Sequence, residues 1–164
     1  MSSLLTFKSS VIGALDAIGE TAALLPIRLL MAYEFGRAGL MKLNGNNWFG
    51  NVQDNFPFPF NVVPVDISWF MATWVELLGA AGLVLGLFTR FWAFGLIVVT
   101  IVAIYGVHMP DDWGSFAELW KGYAVSDKGF GNFRIPLLFL VKLIPLVLAG
   151  PGRISVDNFL AKLF

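Results

Sequence analysis

The stretch Ile67 to Phe88, ISWFMATWVELLGAAGLVLGLF, limits what this chain can fold into more than any other. It is a run of apolar or small residues with one carboxylate, Glu76, near its middle. Such a run suits a helix that crosses the hydrocarbon core of a bilayer, ~30 Å at 1.5 Å per residue. An ionisable group at that depth costs roughly 2.5–3.5 kcal/mol on insertion scales, so it requires a partner, a proton or water. The rest of the chain is read here as the supply of that company.

Composition supports a membrane reading. The chain of 164 residues is 57% hydrophobic and 13% charged, with mean hydropathy +0.75. A usual soluble domain is about a quarter charged. This chain lacks the polar surface to coat a soluble globule, so an integral membrane protein of one domain is expected. The formal net charge is zero, which gives a nucleic-acid partner no electrostatic support. There is no cysteine, which excludes disulfides, thiolate zinc sites and iron–sulfur clusters ligated by this chain. The single histidine argues against bis-histidine haem, and no cluster with metal-ligand spacing is present. Redox work by such a chain would place the electrons on a partner or on a bound organic molecule.

Taken in order, residues 1–20 lack the apolar core and small-residue cleavage site of a signal peptide. Leu4, Phe7, Val11, Leu15 and Ile18 recur at three- and four-residue spacing, opposite Thr6, Ser9, Ser10, Gly13, Asp16 and Glu20. This pattern predicts an amphipathic helix lying in the membrane interface. Residues 21–164 are expected to form an all-α, integral membrane four-helix bundle. Its spans are predicted at Thr21–Leu43, Ile67–Phe88, Phe91–Met109 and Arg134–Ala149, the middle two joined by a tight turn at Thr89–Arg90. Residues 44–66, with the PFPF run Pro57–Phe60, read as an ordered loop. Residues 110–133 read as an external loop with a short helix near Phe116–Gly122. Gly79, Gly82 and Gly86 read as helix-packing positions rather than a nucleotide loop, because no strand precedes them.

Four spans place both termini on one side, together with Lys8, Arg90, Arg153 and Lys162. The positive-inside rule then favours cytoplasmic termini in a bacterial inner membrane. Trp48, Trp69, Trp113 and Trp120 would form an outer aromatic belt, with Trp92 at the inner face.

Counting inward from the span ends at 1.5 Å per residue puts Glu34, Arg37, Glu76 and Lys142 in one slab, roughly 9–13 Å deep. Intramembrane charges face the bundle interior and pair. These four are therefore expected to form a buried network, with Tyr105 and His108 at its mouth and Arg28 deeper. The competing reading is that such pairs only hold the bundle together. Because buried ion pairs add little net stability, a chain this poor in charge that still embeds so many favours a site.

Three segments together resemble one family. The run Arg28 … Gly36-Arg37-Ala38-Gly39-Leu40-Met41-Lys42-Leu43, the stretch Glu76-Leu77-Leu78-Gly79-Ala80-Ala81-Gly82-Leu83-Val84-Leu85-Gly86-Leu87-Phe88-Thr89-Arg90, and the tail Gly150-Pro151-Gly152-Arg153-Ile154-Ser155-Val156-Asp157 resemble the DoxX family. His108 at the end of the third span also suits it. The resemblance implies a small four-helix inner-membrane protein, with relatives that serve a thiosulfate:quinone oxidoreductase or accompany thiol-stress and metal-handling partners.

The expectation is thus a membrane subunit of a redox system, coupling a partner protein or a sulfur-, thiol- or metal-related oxidation to the quinone pool. Glu76, Glu34, Arg37 and Lys142 would carry the chemistry at a quinone headgroup, and Arg28, Tyr105 and His108 would help bind it. The alternative is a non-catalytic scaffold that anchors a partner enzyme through the acidic outer loop Asp111–Lys128. Membrane lipid, a protein partner or a second copy of the chain are the expected company. A transporter ranks last, since no duplicated half is visible.

Overall fold

Local sequence sets where each helix starts and stops. The computed structural model describes residues 2–110, 113–124 and 131–163. Helix α1 runs Ser2–Ala22 and α2 runs Leu25–Asn44, with a proline in the first turn of α2, where its missing N–H costs nothing. Helix α3 runs Val65–Leu85 and stops because Gly86 takes the left-handed conformation, φ 66°. There the Leu87 amide donates back to the Gly82 carbonyl at 2.9 Å, a glycine-terminated helix end. Phe88 is also left-handed, φ 49°, so the chain reverses within Gly86–Phe88, just before the turn expected at Thr89–Arg90. Helix α4 then spans Thr89–Ala103 and widens into a π-helical turn, Ile104–His108.

A short helix α5, Phe116–Lys121, lies in the outer loop and is capped by Ser115, whose side chain accepts the Glu118 amide. Helix α6 covers Arg134–Ala149 and carries Pro136 in its first turn and Pro145 inside. Helix α7, Val156–Leu160, closes the chain and is capped by the Ser155 side chain, which accepts the Asn158 amide. The fold is all-α, seven α-helices among the described residues. Helices α2, α3, α4 with its π-turn, and α6 cover the four stretches expected to be helical to within a few residues at each end.

Helices α2, α3, α4 and α6 pack in a ring, each touching the next and α6 returning to α2. Each helix sends a stripe inward: Met31 and Phe35 from α2, Leu83 from α3, Ala93 and Leu96 from α4, Leu143 and Leu146 from α6. Fully burying a side chain of this size stabilises by about 1.5–3 kcal/mol, so this layer is the main glue of the bundle. Glycines let the helices approach. Gly39 faces Glu76 and Leu77, Gly79 faces Leu96, and Gly82 receives the Trp92 indole in the space a Cβ would fill. Gly86 has a second role beyond packing: besides its left-handed turn, it lies against Ser155 and the Arg28 guanidinium.

The start of α2, the α3–α4 turn and the C-terminal tail meet at this end of the bundle. Arg28 is 1% exposed and donates to the carbonyls of Leu83 (2.9 Å), Val84 (3.1 Å), Pro151 (2.6 Å) and Ile154 (2.8 Å). Asp157 accepts the Phe88 and Thr89 amides at 2.8 and 3.0 Å, and so caps the start of α4 from the tail. We call this the tail end and the opposite one the loop end.

Two helices are long and apolar enough to cross a membrane, Val65–Leu85 and Thr89–His108. The other two bundle helices fall outside that description for plain reasons: α2 carries four charged residues and α6 has only 16 residues. Helix α1 projects its side chains away from the bundle, every described one between Phe7 and Gly19 being exposed.

Candidate functional site

Toward the loop end, the four bundle helices and the 45–60 loop enclose a cavity of about 520 Å³. Its wall is mainly aliphatic and aromatic. Phe49 and Phe56 roof it from the loop, Val75 and Val98 wall it from α3 and α4, and Phe139 from α6. Met71 on α3 and Phe94 on α4, both exposed, stand at its edge on the outer face of that helix pair. The roof is held by edge-to-face ring contacts, Phe49 with Trp69 at 5.0 Å and with Phe56 at 5.3 Å. Phe56 in turn fills the space left by Gly106 in the π-turn, where no side chain would fit.

The polar content of the wall is small and specific. Lys42 Nζ donates to both carboxylate oxygens of Glu76, at 2.8 Å each, with the two side chains 16% and 4% exposed. A pair so placed is held by mutual attraction in a medium that screens it poorly, and it neutralises the one acid of α3's interior. Gly39 explains the pairing. Its lack of a Cβ brings α2 against α3 at Glu76, and Lys42, three residues on, lies on the same face.

Ser68 also lines the cavity, and its Oγ is buried with no hydrogen-bond partner among the described residues. A buried hydroxyl left unsatisfied costs about 1–3 kcal/mol, which a bound oxygen or an ordered water would recover. His108 lines the loop end of the cavity, and its Nδ1 pairs with Asn132 Oδ1. The backbone repeats this clamp, since the Asn132 amide donates to the His108 carbonyl at 3.0 Å. A π-turn at this point is a recurrent mark of functional positions, because it aims side chains off the α-helical register.

The expected network of Glu34, Arg37, Glu76 and Lys142 is rearranged. Glu76 is buried as expected, but its partner is Lys42, which was not among the four residues expected in the network. Glu34 lines the cavity, without an ion-pair or hydrogen-bond partner among the described residues. Arg37 is exposed on the outer face of α2, its guanidinium 5.7 Å from the centre of the Tyr33 ring. Lys142 lies outside the cavity lining, its amine 5.9 Å from the centre of the Phe139 ring. Arg28 belongs to the tail-end junction instead, and Tyr105 is 48% exposed and does not line the cavity. Of the expected acidic loop, residues 111, 112 and 125–130 lie outside the described residues.

The four residues do not share one level because the outer ends of the helices are staggered. Gly39 packs at Glu76–Leu77, so α2 ends five residues beyond that level while α3 continues for eleven. The aromatic loop, not α2, covers the first turns of α3. Lys42 could have been found from Gly39 and Lys42 sharing a face, opposite the pair Glu76 and Gly79. Ser68 and Asn132 carry no such signal, because what makes them notable is a tertiary neighbour or its lack.

Among the described residues, no group of three or more His, Asp or Glu side chains is placed to hold a metal ion. Comparison with known proteins adds a family. The DoxX family model matches residues 23–109, which include the Lys42–Glu76 pair and His108. A protein of Haemophilus influenzae, described only as an uncharacterized protein, is 38% identical over 150 residues, covering 92% of this chain and 91% of its own length. No solved structure matches.

Proposed function

The chain belongs to the DoxX family, and from that premise we propose that it is a four-span subunit of the bacterial inner membrane that couples a partner redox protein to the quinone pool. Family membership and the two helices long and apolar enough to cross a bilayer point to a membrane protein. In this reading α2 and α6 complete the spans. Helix α2 tolerates its charges because Arg28 and Lys42 turn inward to carbonyls and to Glu76. Helix α6 is short, about 24 Å at 1.5 Å per residue, and a bilayer accommodates such mismatch by thinning locally. The exposed α1 lies in the inner headgroup region, and both termini are cytoplasmic.

One observation carries the redox reading: an apolar, aromatic cavity in the loop half of the bundle contains a nearly buried Lys–carboxylate pair, with exposed Met71 and Phe94 among its lining residues. That is the shape expected of a site for a lipophilic molecule with a polar head. The donor set fits a quinone: an ammonium and an unsatisfied hydroxyl are donors, and both lie in the wall. A bound quinone would supply a two-electron, two-proton couple, its electrons being exchanged with the partner redox protein. The chain's own residues bind and move protons. Lys42 would hold a headgroup oxygen through its Nζ and oppose negative charge there. The Glu76 carboxylate, beside that amine, would hold or pass a proton. Glu34 and His108 extend the polar wall toward the two ends of the cavity, and Asn132 keeps the His108 ring in place. The helix faces around Met71 and Phe94 admit the isoprenoid tail from the lipid.

The test is mass spectrometry of small molecules extracted from the gently purified protein, followed by quinol-coupled turnover in liposomes. The expected result is a stoichiometric quinone that is lost in Glu76→Gln and Lys42→Ala, with turnover down about a hundredfold, the usual loss when one such stabilising group is removed. Full turnover in both variants would overturn the assignment. A scaffold role is the second reading, favoured by the exposed aromatic face of the outer loop, where Phe116 and Trp113 are exposed and Trp120 stacks on Tyr123. A co-purifying enzyme with no bound quinone would support it.

A further inference from the structure

Two charges on α2 are left over by the fold. Arg28 is spent on four carbonyls and Lys42 on Glu76, but neither Glu34 nor Arg37 has an ion-pair partner among the described residues. Arg37 is twelve residues from the start of α2 and seven from its end, roughly 18 and 10 Å along the axis. If α2 spans the membrane, as the proposed function has it, this guanidinium faces the outside of the bundle at hydrocarbon depth. Tyr33 offers it only a ring face. Acyl chains offer nothing to the rest, and charges at such depth turn to protein partners.

The sequence around these two residues is that of a helix–helix seam. Leu30, Glu34, Arg37 and Met41 follow each other at spacings of four, three and four. That is the heptad rhythm of the two core positions of a coiled pair, and a polar residue inside such a seam selects register and partner. Leu30 and Met41 are 42% and 70% exposed, so both ends of the seam are open on the single chain. We propose that α2 pairs with α2 of a second copy of this chain, side by side and in parallel. A two-fold axis along the membrane normal keeps both copies in the same orientation and makes the interface self-complementary. Arg37 of each copy then meets Glu34 of the other, giving two reciprocal ion pairs between layers of Leu30 and Met41. The occupant is a second copy because this helix already carries the matching acid at the matching depth. Glu34 also lines the cavity, so the partner copy's Arg37 places a cation at the wall of each site.

A pair formed within one helix, Glu34 to Arg37, is the alternative that the experiment must separate. The chain contains no cysteine, so single cysteines report contacts without background. The full chain is expressed in bacterial membranes, carbonate extraction is checked, and the membranes are then oxidised. Leu30→Cys and Met41→Cys are expected to give a disulfide-linked dimer, while Leu78→Cys on α3 and Leu148→Cys on α6, equally exposed on other faces, give none. Next, Glu34→Arg and Arg37→Glu are each built into the Met41→Cys chain with different tags. Together they restore both reciprocal pairs, so the mixed dimer is expected at near native yield and each self-dimer at a tenth of it or less. A pair within one helix predicts no preference for the mixed dimer. Release by carbonate would overturn the membrane reading and this inference with it. Retention without cross-linking at Leu30 or Met41, or without preference for the mixed dimer, would overturn the dimer alone and leave the membrane reading standing.

Discussion

Lys42 and Glu76 show how much one contact decides at the scale of a residue. The carboxylate is 4% exposed and the amine approaches both of its oxygens at 2.8 Å, so each group is tolerable only because of the other. Removing one partner of a buried pair costs about 3–5 kcal/mol, because the survivor is left charged in a poor solvent. Lys42 remains 16% exposed, so the loss expected for Lys42→Ala lies near the lower end. Adding Glu76→Gln to that variant should recover most of it, since a neutral amide needs no counter-charge. Thermal unfolding in mild detergent measures both variants. A double variant as unstable as Lys42→Ala would mean that Lys42 acts by packing rather than by charge. Arg28 differs in kind, for its partners are carbonyls of two other segments and its work is to close the tail end. Arg28→Met should leave those carbonyls without a donor, costing about 3 kcal/mol or more, since hydrogen bonds from charged groups are worth about 1.5–3 kcal/mol each.

At the scale of an element, the α3–α4 hairpin is built around two glycines with different reasons. Gly82 makes room for the Trp92 indole, and Gly86 reverses the chain in a conformation that other residues resist. Gly82→Ala should push the helices apart and cost about 1–3 kcal/mol, as overpacking does. Trp92 fluorescence should shift with it, reporting the displaced ring; an unshifted spectrum at unchanged stability would show that the indole has another place to go. Asp157→Ala removes the cap that the tail lends to α4 and should cost about 1 kcal/mol. The limits of these helices were legible in the sequence, because hydrophobic length and turn residues are local properties. The turn itself was displaced by about two residues, since a left-handed Phe88 supported by Asp157 is a contact 69 residues away in sequence. The pairing of α2 with α3 was legible only in part. Gly39 announced a close approach, but not which residue of α3 would lie opposite.

For the whole molecule, the cavity is the property that no segment holds alone. It needs four helices, an aromatic roof and the π-turn, and its volume is what remains after each has packed on its neighbours. Ala72 lines it without taking part in any polar contact of the site. Ala72→Phe should therefore fill part of the space and abolish quinone retention, while the unfolding temperature stays within a few degrees of the native chain. Retained quinone in that variant would place the ligand elsewhere. Composition, hydrophobic length, the absence of cysteine and the three glycine-bearing motifs by themselves determined an all-α chain, its helix limits, its family resemblance and the burial of Glu76. These are statements about residues and their near neighbours, which the order of the chain contains. Tertiary structure alone decided that Lys42 is the partner of Glu76, that Arg37 faces outward, and that Ser68 and His108 share a cavity. The reason is axial register. A slide of one helix along another by a single turn, about 5.4 Å, changes every side-chain partner while leaving each helix intact, and that slide is set by packing at Gly39 and by the aromatic loop.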